Sequence, residues 1–290
     1  MLSYLLAVLA AVANASSAVL QRRANRRIPR KQNLSWRLIV SLLHQPVWFG
    51  GIAAICAGFL LQAVALGAGQ LSTVEPILIL ELPLTLVLAA RVFGQPMRRR
   101  EWFSAAAMTA SLGTLLFLLQ PSPGRSAQVA WYVWVAGIGA NLALVGVLVV
   151  VARQWPAHRA GGAYRAGLLG AAAGANFGLT AALMKGMTGT FTGGLGHLLT
   201  SWPVYGMIGA GVVGMFLVQS ALNAGSLLAA QPGLTMADPV LSVCWGVLVF
   251  GEHVRAGSFI LAELACIAVL VAAVIALARS PLLAESDQDG

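Results

Sequence analysis

Nine apolar stretches of about 20 residues occupy most of this chain: Leu2–Leu20, Val47–Gly69, Thr73–Phe93, Trp102–Gln120, Ala130–Ala152, Gly167–Met187, Val204–Gly225, Leu227–Phe250 and Gly257–Ala278. As helices, stretches of that length match the hydrocarbon thickness of a bilayer. In lipid every backbone N–H and C=O must be satisfied within the protein, so such spans fold as helices. The predicted fold is all-α: a polytopic membrane protein with about nine transmembrane helices. Composition agrees, with 59% hydrophobic and 9% charged residues and a mean hydropathy of +0.82, outside the range of water-soluble domains. Leu2–Leu20 is expected to be a retained helix and not a signal peptide. It has no basic leader, its basic residues follow it, and no small-residue cleavage site precedes Arg22.

A net charge of +9 on a soluble protein would suggest nucleic acid. Here the placement of the charge argues for topology, and no nucleic-acid partner is expected. Arg22, Arg23, Arg26, Arg27, Arg30, Lys31 and Arg37 follow span 1, and Arg98, Arg99 and Arg100 follow span 3. Arg153, Arg159 and Arg165 lie between spans 5 and 6, and Arg279 ends span 9. With nine spans and the amino terminus outside, these and Arg91 put 15 of 18 basic residues on one side, leaving Arg125, Lys185 and Arg255 opposite. That bias predicts a protein of the cytoplasmic membrane with its carboxyl terminus in the cytoplasm. Trp36–Leu43 reads as a basic amphipathic or re-entrant piece lying against membrane lipids. Cys56, Cys244 and Cys266 all fall inside spans, in no metal-site spacing, and read as packing residues.

An internal repeat divides the chain. At a shift of 156, Gly50, Ala54 and Gly58 fall on Gly206, Ala210 and Gly214, Glu75-Pro76 on Gln231-Pro232, and Pro83 on Pro239. At 157, Phe93-Gly94-Gln95 falls on Phe250-Gly251-Glu252. At 162, Ala13-Asn14 falls on Ala175-Asn176 and Arg23 on Lys185. The predicted organisation is a first repeat over 1–129 with its cytoplasmic basic loop, a linking helix at 130–152, a second repeat of opposite topology over 164–279, and a disordered acidic tail at 280–290. Inverted repeats of this kind are common in secondary transporters, whose sites lie near the midplane between the halves.

Two spans carry a carboxylate beside a proline near their midpoints, Glu81 with Pro83 and Asp238 with Pro239. An ionised side chain at the bilayer centre costs roughly 2.5–3.5 kcal/mol on insertion scales, so it usually faces a polar interior. A midhelix proline also frees a carbonyl that protein or cavity water must satisfy. Glu81 and Asp238 are therefore the leading candidates for a solute or ion pathway; the alternative is a pair of acids hydrogen-bonded between helices. Their one-position offset in the repeat turns them by about 100° on ideal helices, which permits convergence without requiring it. Asn14 and Asn176 are repeat mates near the middles of spans 1 and 6, and Glu75 at the start of span 3 suits a vestibule. Glu263 reads as a third pathway acid or as a partner for Lys185. No nucleophile–base set, phosphate loop or zinc motif is present, so no catalytic residues, cofactor or enzymatic activity are expected.

The two halves resemble the drug/metabolite transporter superfamily, whose repeat ends in a short turn and a helix beginning near a Gly-Glu pair. Gly251-Glu252 matches that pair and Gly94-Gln95 departs from it. Nine spans, the basic segment after span 1 and the odd central helix are most similar to the NIPA-type magnesium transporter branch, as is the phrase Leu71-Ser72-Thr73-Val74-Glu75-Pro76. The resemblance implies a transporter moving a small solute or cation, magnesium among the candidates. The alternatives are a proton-coupled exporter of organic cations or metabolites, and a non-transporting membrane scaffold.

Overall fold

The computed structural model describes residues 2–25, 45–94, 97–119, 121, 129–154, 161–188, 196, 200–224, 227–253 and 260–278. Most of the basic segment after span 1, Trp36–Leu43 and the tail at 280–290 lie outside the described residues. The described chain is helical: α1 (Leu2–Asn25), α2 (Pro46–Ala68), α3 (Leu71–Leu78), α4 (Glu81–Phe93), α5 (Arg99–Leu119), α6 (Trp131–Gln154), α7 (Gly161–Thr188), α8 (Trp202–Ala224), α9 (Leu227–Leu248) and α10 (Ile260–Ala278). Seven segments among the described residues are long and apolar enough to cross a membrane, with α3 and α4 counted together. The protein is an all-helical, polytopic membrane protein.

Span 3 differs from expectation. It is not one helix but two, α3 and α4, joined by a turn at Ile79–Leu80. Pro83 is the physical reason. It has no N–H to offer the Ile79 carbonyl, which instead accepts a bond from Leu82 N at 3.1 Å. The chain tightens there to three-residue bonds, Ile79 N to Pro76 O at 3.2 Å and Leu80 N to Ile77 O at 3.0 Å. Glu81 becomes the first residue of a new helix, where the amide dipoles favour a carboxylate.

At the centre of the bundle stands α7, with 72% of its apolar window buried against 17% for α6. Its Gly- and Ala-rich sequence leaves room for neighbours on every side. The closest of these is α9. A Cβ on Gly170 would strike the Ala230 carbonyl, and one on Gly174 the Leu234 carbonyl. From the other side, one on Gly233 would strike the Gly167 carbonyl. The small-residue ridges thus place two backbones in direct contact. Elsewhere α1 packs on α2, α8 on α7, and α5 on α10 through Met108, Leu112, Leu270 and Val274.

Large apolar residues on α2, α5, α6 and α8, such as Phe59, Phe117, Val147 and Phe216, are exposed, as lipid-facing side chains are. Trp102, Trp131 and Trp202 are exposed near helix ends, the positions of an interfacial belt. Cys56 and Cys244 are exposed as well, so they are surface residues and not the interior packing groups expected.

Candidate functional site

The two halves of the broken helix each carry an acid within electrostatic range of Asp238. Glu75, in the second turn of α3, is 4% exposed, and its Oε1 accepts a hydrogen bond from Gln62 Nε2 of α2 at 2.9 Å. Asp238 on α9 lies within electrostatic range of both Glu75 and Glu81. Asn14 of α1 hydrogen-bonds the Glu81 carboxylate, and Ser242 Oγ, one turn above Asp238, donates to its Oδ1 at 3.4 Å. Five helices therefore contribute: α1, α2, α3, α4 and α9. Glu81 and Asp238 are half-buried, and so is every residue from Pro232 to Asp238.

The offset between Glu81 and Asp238 does not keep them apart. The turn at Ile79–Leu80 reorients Glu81 relative to an unbroken helix, so the 100° estimate does not apply. Glu75 is buried and within electrostatic range of Asp238. Asn14 and Asn176 part company. Asn14 serves Glu81, whereas Asn176 Nδ2 points to α8 and donates to the Ala210 carbonyl at 2.5 Å. The α7 face turned to Asp238 is built instead from Gly174 and Gly178, whose added Cβ atoms would meet the Asp238 backbone at 3.0 and 3.2 Å.

Each of these asparagines nevertheless faces a glycine that is itself a repeat mate. A Cβ on Gly58 would collide with Asn14 Oδ1, and one on Gly214 would lie 3.0 Å from Asn176 Nδ2. A second pair of mates, Gly94 and Gly251, adopts left-handed φ values of 68° and 61°, where a side chain would strain the backbone.

A second polar cluster lies at the other end of α3. Lys185, 4% exposed, donates from Nζ to Glu252 Oε1 at 2.8 Å and to the Gly69 carbonyl at 2.7 Å. The Glu252 carboxylate also accepts Leu71 N at 2.7 Å, Ser72 N at 2.9 Å and Ser72 Oγ at 2.5 Å. It therefore caps the amino terminus of α3 from a turn 180 residues away, while Lys185 lies over the Phe250 ring at 5.4 Å from its centroid. Of the two readings of Glu263, a partner for Lys185 is not found: Lys185 is taken by Glu252, and Glu263 is half-buried in the first turn of α10.

No protein-family model matches the sequence, and no solved structure matches it. A relative in Corynebacterium glutamicum, named Uncharacterized protein Cgl0250/cg0304, is 33% identical over 257 residues, covering 87% of each chain. The chain belongs to the family of that corynebacterial protein. Identity over nearly the whole length means that the relative shares the fold described above. The relative's name states no activity, so function has to be argued from the geometry of the acids.

Among the described residues, no three or more His, Cys, Asp and Glu side chains are gathered closely enough to hold a metal ion. Asp238 lies within electrostatic range of each of the two glutamates, and the acids form no ligand shell among the described residues. The roles of three partners are not apparent from sequence. Gln62 had a signal, a lone amide in an apolar span two turns before Gly69. Ser242 had one too, a hydroxyl one helical turn after Asp238. Glu252 was visible only as half of a Gly-Glu pair, with nothing to indicate that it caps α3.

Proposed function

We propose that this protein is a secondary transporter of the drug/metabolite transporter type that moves a cation across the cytoplasmic membrane. Glu75, Glu81 and Asp238 are its binding carboxylates, assisted by Gln62 and Asn14. The observation that carries the reading is the charge of the site. Two glutamates lie within electrostatic range of Asp238, and among the described residues the hydrogen-bond partners of the three acids are two amides and a hydroxyl. Lys185, the one buried basic residue among those described, is held by Glu252. Uncompensated carboxylates inside a membrane are costly, and a passing cation or proton removes the cost. A discontinuous helix at such a site is a recurrent feature of transporters. An oxygen-only donor set also suits magnesium, which keeps several of its waters and so tolerates acids that do not close around it.

Nine spans with inverted repeats form part of the same reading. The Asn14–Gly58 and Asn176–Gly214 contacts and the paired left-handed glycines support it. The contacts at one end of the bundle support the crossing number. Ser3 meets Gly69, Lys185 meets Gly69 and Glu252, and Trp134 meets Trp202 and Phe250. These residues share a membrane face, so the chain crosses an even number of times between each. Nine spans satisfy that condition, and the distribution of basic residues makes the shared face the outer one.

The test is charge removal at constant shape. Glu75→Gln, Glu81→Gln and Asp238→Asn should each reach the membrane at parental levels and lose most cation flux in proteoliposomes. Magnesium and protonated organic amines are the two substrate arms. Accumulation of an amine against an imposed pH gradient, without membrane potential, would identify proton exchange. Magnesium flux following only its own gradient and the voltage would identify a uniporter. Parental flux of both cations in all three variants would overturn the reading in favour of acids that merely join helices.

A further inference from the structure

The carboxylate cluster and the Lys185–Glu252 cluster share one short element. α3 is only eight residues long. Its first amides are held by Glu252, and its second turn holds Glu75. About 6 Å of helix rise separates Leu71 from Glu75. Above the acids, the two halves of the chain are joined. α3 packs against α9 and α7, Gly67 meets Thr188, and Lys185 and Glu252 clasp the residues from Gly69 to Ser72. Below them, the halves meet through α5 and α10 and not through α4 and α9. α4 packs on α1 and α10 and makes little contact with α9, and α9 is half-buried from Pro232 to Asp238.

The repeat makes this asymmetry informative. The contact of α2 with α7 has as its inverted counterpart a contact of α8 with α1, and only the first is substantial. Lys185 is buried, while its repeat mate Arg23 is exposed.

We propose that Glu252 and Lys185 form the latch of the outer gate, and that α3 couples this latch to the site by carrying Glu75. This inference rests on the transporter reading above. Opening the outer face requires Glu252 to release Leu71, Ser72 and Lys185 together, freeing α3 to tilt. That movement displaces Glu75 relative to Asp238, so the gate and the carboxylates move as a unit. The latch suits a reversible seal. Its members are charged, and water entering on opening solvates each of them.

Thiol labelling tests the latch without any knowledge of the substrate. In a background with Cys56, Cys244 and Cys266 replaced by serine, Thr73→Cys places a thiol in the first turn of α3, at a position that is fully buried. A membrane-impermeant maleimide is applied to intact cells and to inside-out vesicles. With the latch intact, labelling from either face should be slow. In Lys185→Met/Glu252→Gln, which leaves no unpaired buried charge, labelling from the outer face should accelerate by about tenfold or more, the worth of one lost charge-assisted bond. Ser72→Ala removes one hydroxyl donor and no charge, and should accelerate labelling to a smaller extent if the double variant does not fold. Labelling unchanged in a folded variant, or accelerated only from the inner face, overturns the proposal. Failure of cation flux in the parent would count against the transporter reading and would leave the labelling result standing.

Discussion

Gly174→Ala should destabilise this protein, although alanine is the better helix former. Gly174 lies in the middle of α7, and its added Cβ would strike the Leu234 carbonyl, lie 2.9 Å from Ala237 Cβ and lie 3.0 Å from Asp238 N. Two of these neighbours are α9 backbone atoms, so no side-chain rotamer relieves the clash, and α9 has to move. Overpacking of this kind costs typically 1–3 kcal/mol. Replacing a midhelix glycine by alanine returns about 0.5–1 kcal/mol. The balance is a loss of up to about 2.5 kcal/mol, or up to roughly 10 °C in Tm for a chain of this size. Gly139→Ala and Gly146→Ala in α6 are the controls, because a Cβ at either meets nothing within 4 Å. These should leave Tm unchanged or raise it. Intrinsic fluorescence of the eight tryptophans during heating in detergent reads all three variants. If Gly174→Ala melts at or above the parental temperature, the close approach of α7 and α9 is wrong, and with it the placement of Asp238.

The repeat-mate asparagines should separate by phenotype. Asn176→Ala loses the bond to the Ala210 carbonyl, with a fall of about 0.5–1.5 kcal/mol in stability and normal flux; Asn14→Ala should lower cation affinity through Glu81. Gln62→Leu removes the amide donor of Glu75 and should cost about 1.5–3 kcal/mol in thermal stability when Glu75 is charged; the same substitution in a Glu75→Gln background should cost clearly less. Reporter fusions at Gly290 should be active only with cytoplasmic reporters, as the 15-to-3 division of basic residues requires; periplasmic activity would reverse the topology and exchange the two gates.

The helices were legible because lipid leaves a segment such as Ala130–Ala152 no other way to satisfy its backbone. The glycine ridges were legible for a related reason, since Gly170, Gly174 and Gly178 recur on one face and imply a close neighbour. The identity of that neighbour was not. Neither was the break between α3 and α4, because spans tolerate proline and apolar length alone does not mark where a carbonyl loses its donor. Glu81 and Asp238 were visible as isolated charges, but their convergence depends on that break. The Lys185–Glu252 pair is the least legible part of the protein. It joins residues 67 positions apart through a turn at Gly251, and a charge near the end of a span has many candidate partners.

The buried acids differ in how their charge is met. Glu252 receives two backbone amides, a hydroxyl and an ammonium, so its charge is met by donors fixed in the fold. A carboxylate so satisfied can be retained for structure alone. Glu75 is equally buried, yet among the described residues its partner is one amide, and a second acid stands within electrostatic range. Nothing about lipid burial forces that difference, since Gln62 could have been a lysine, as Lys185 is for Glu252. Under the proposed function, acids with no permanent counter-charge among the described residues would keep their affinity for a cation that arrives and leaves. If Gln62→Lys supplied that counter-charge, the protein should gain thermal stability and lose cation flux, and only a binding role for the acids predicts those changes together.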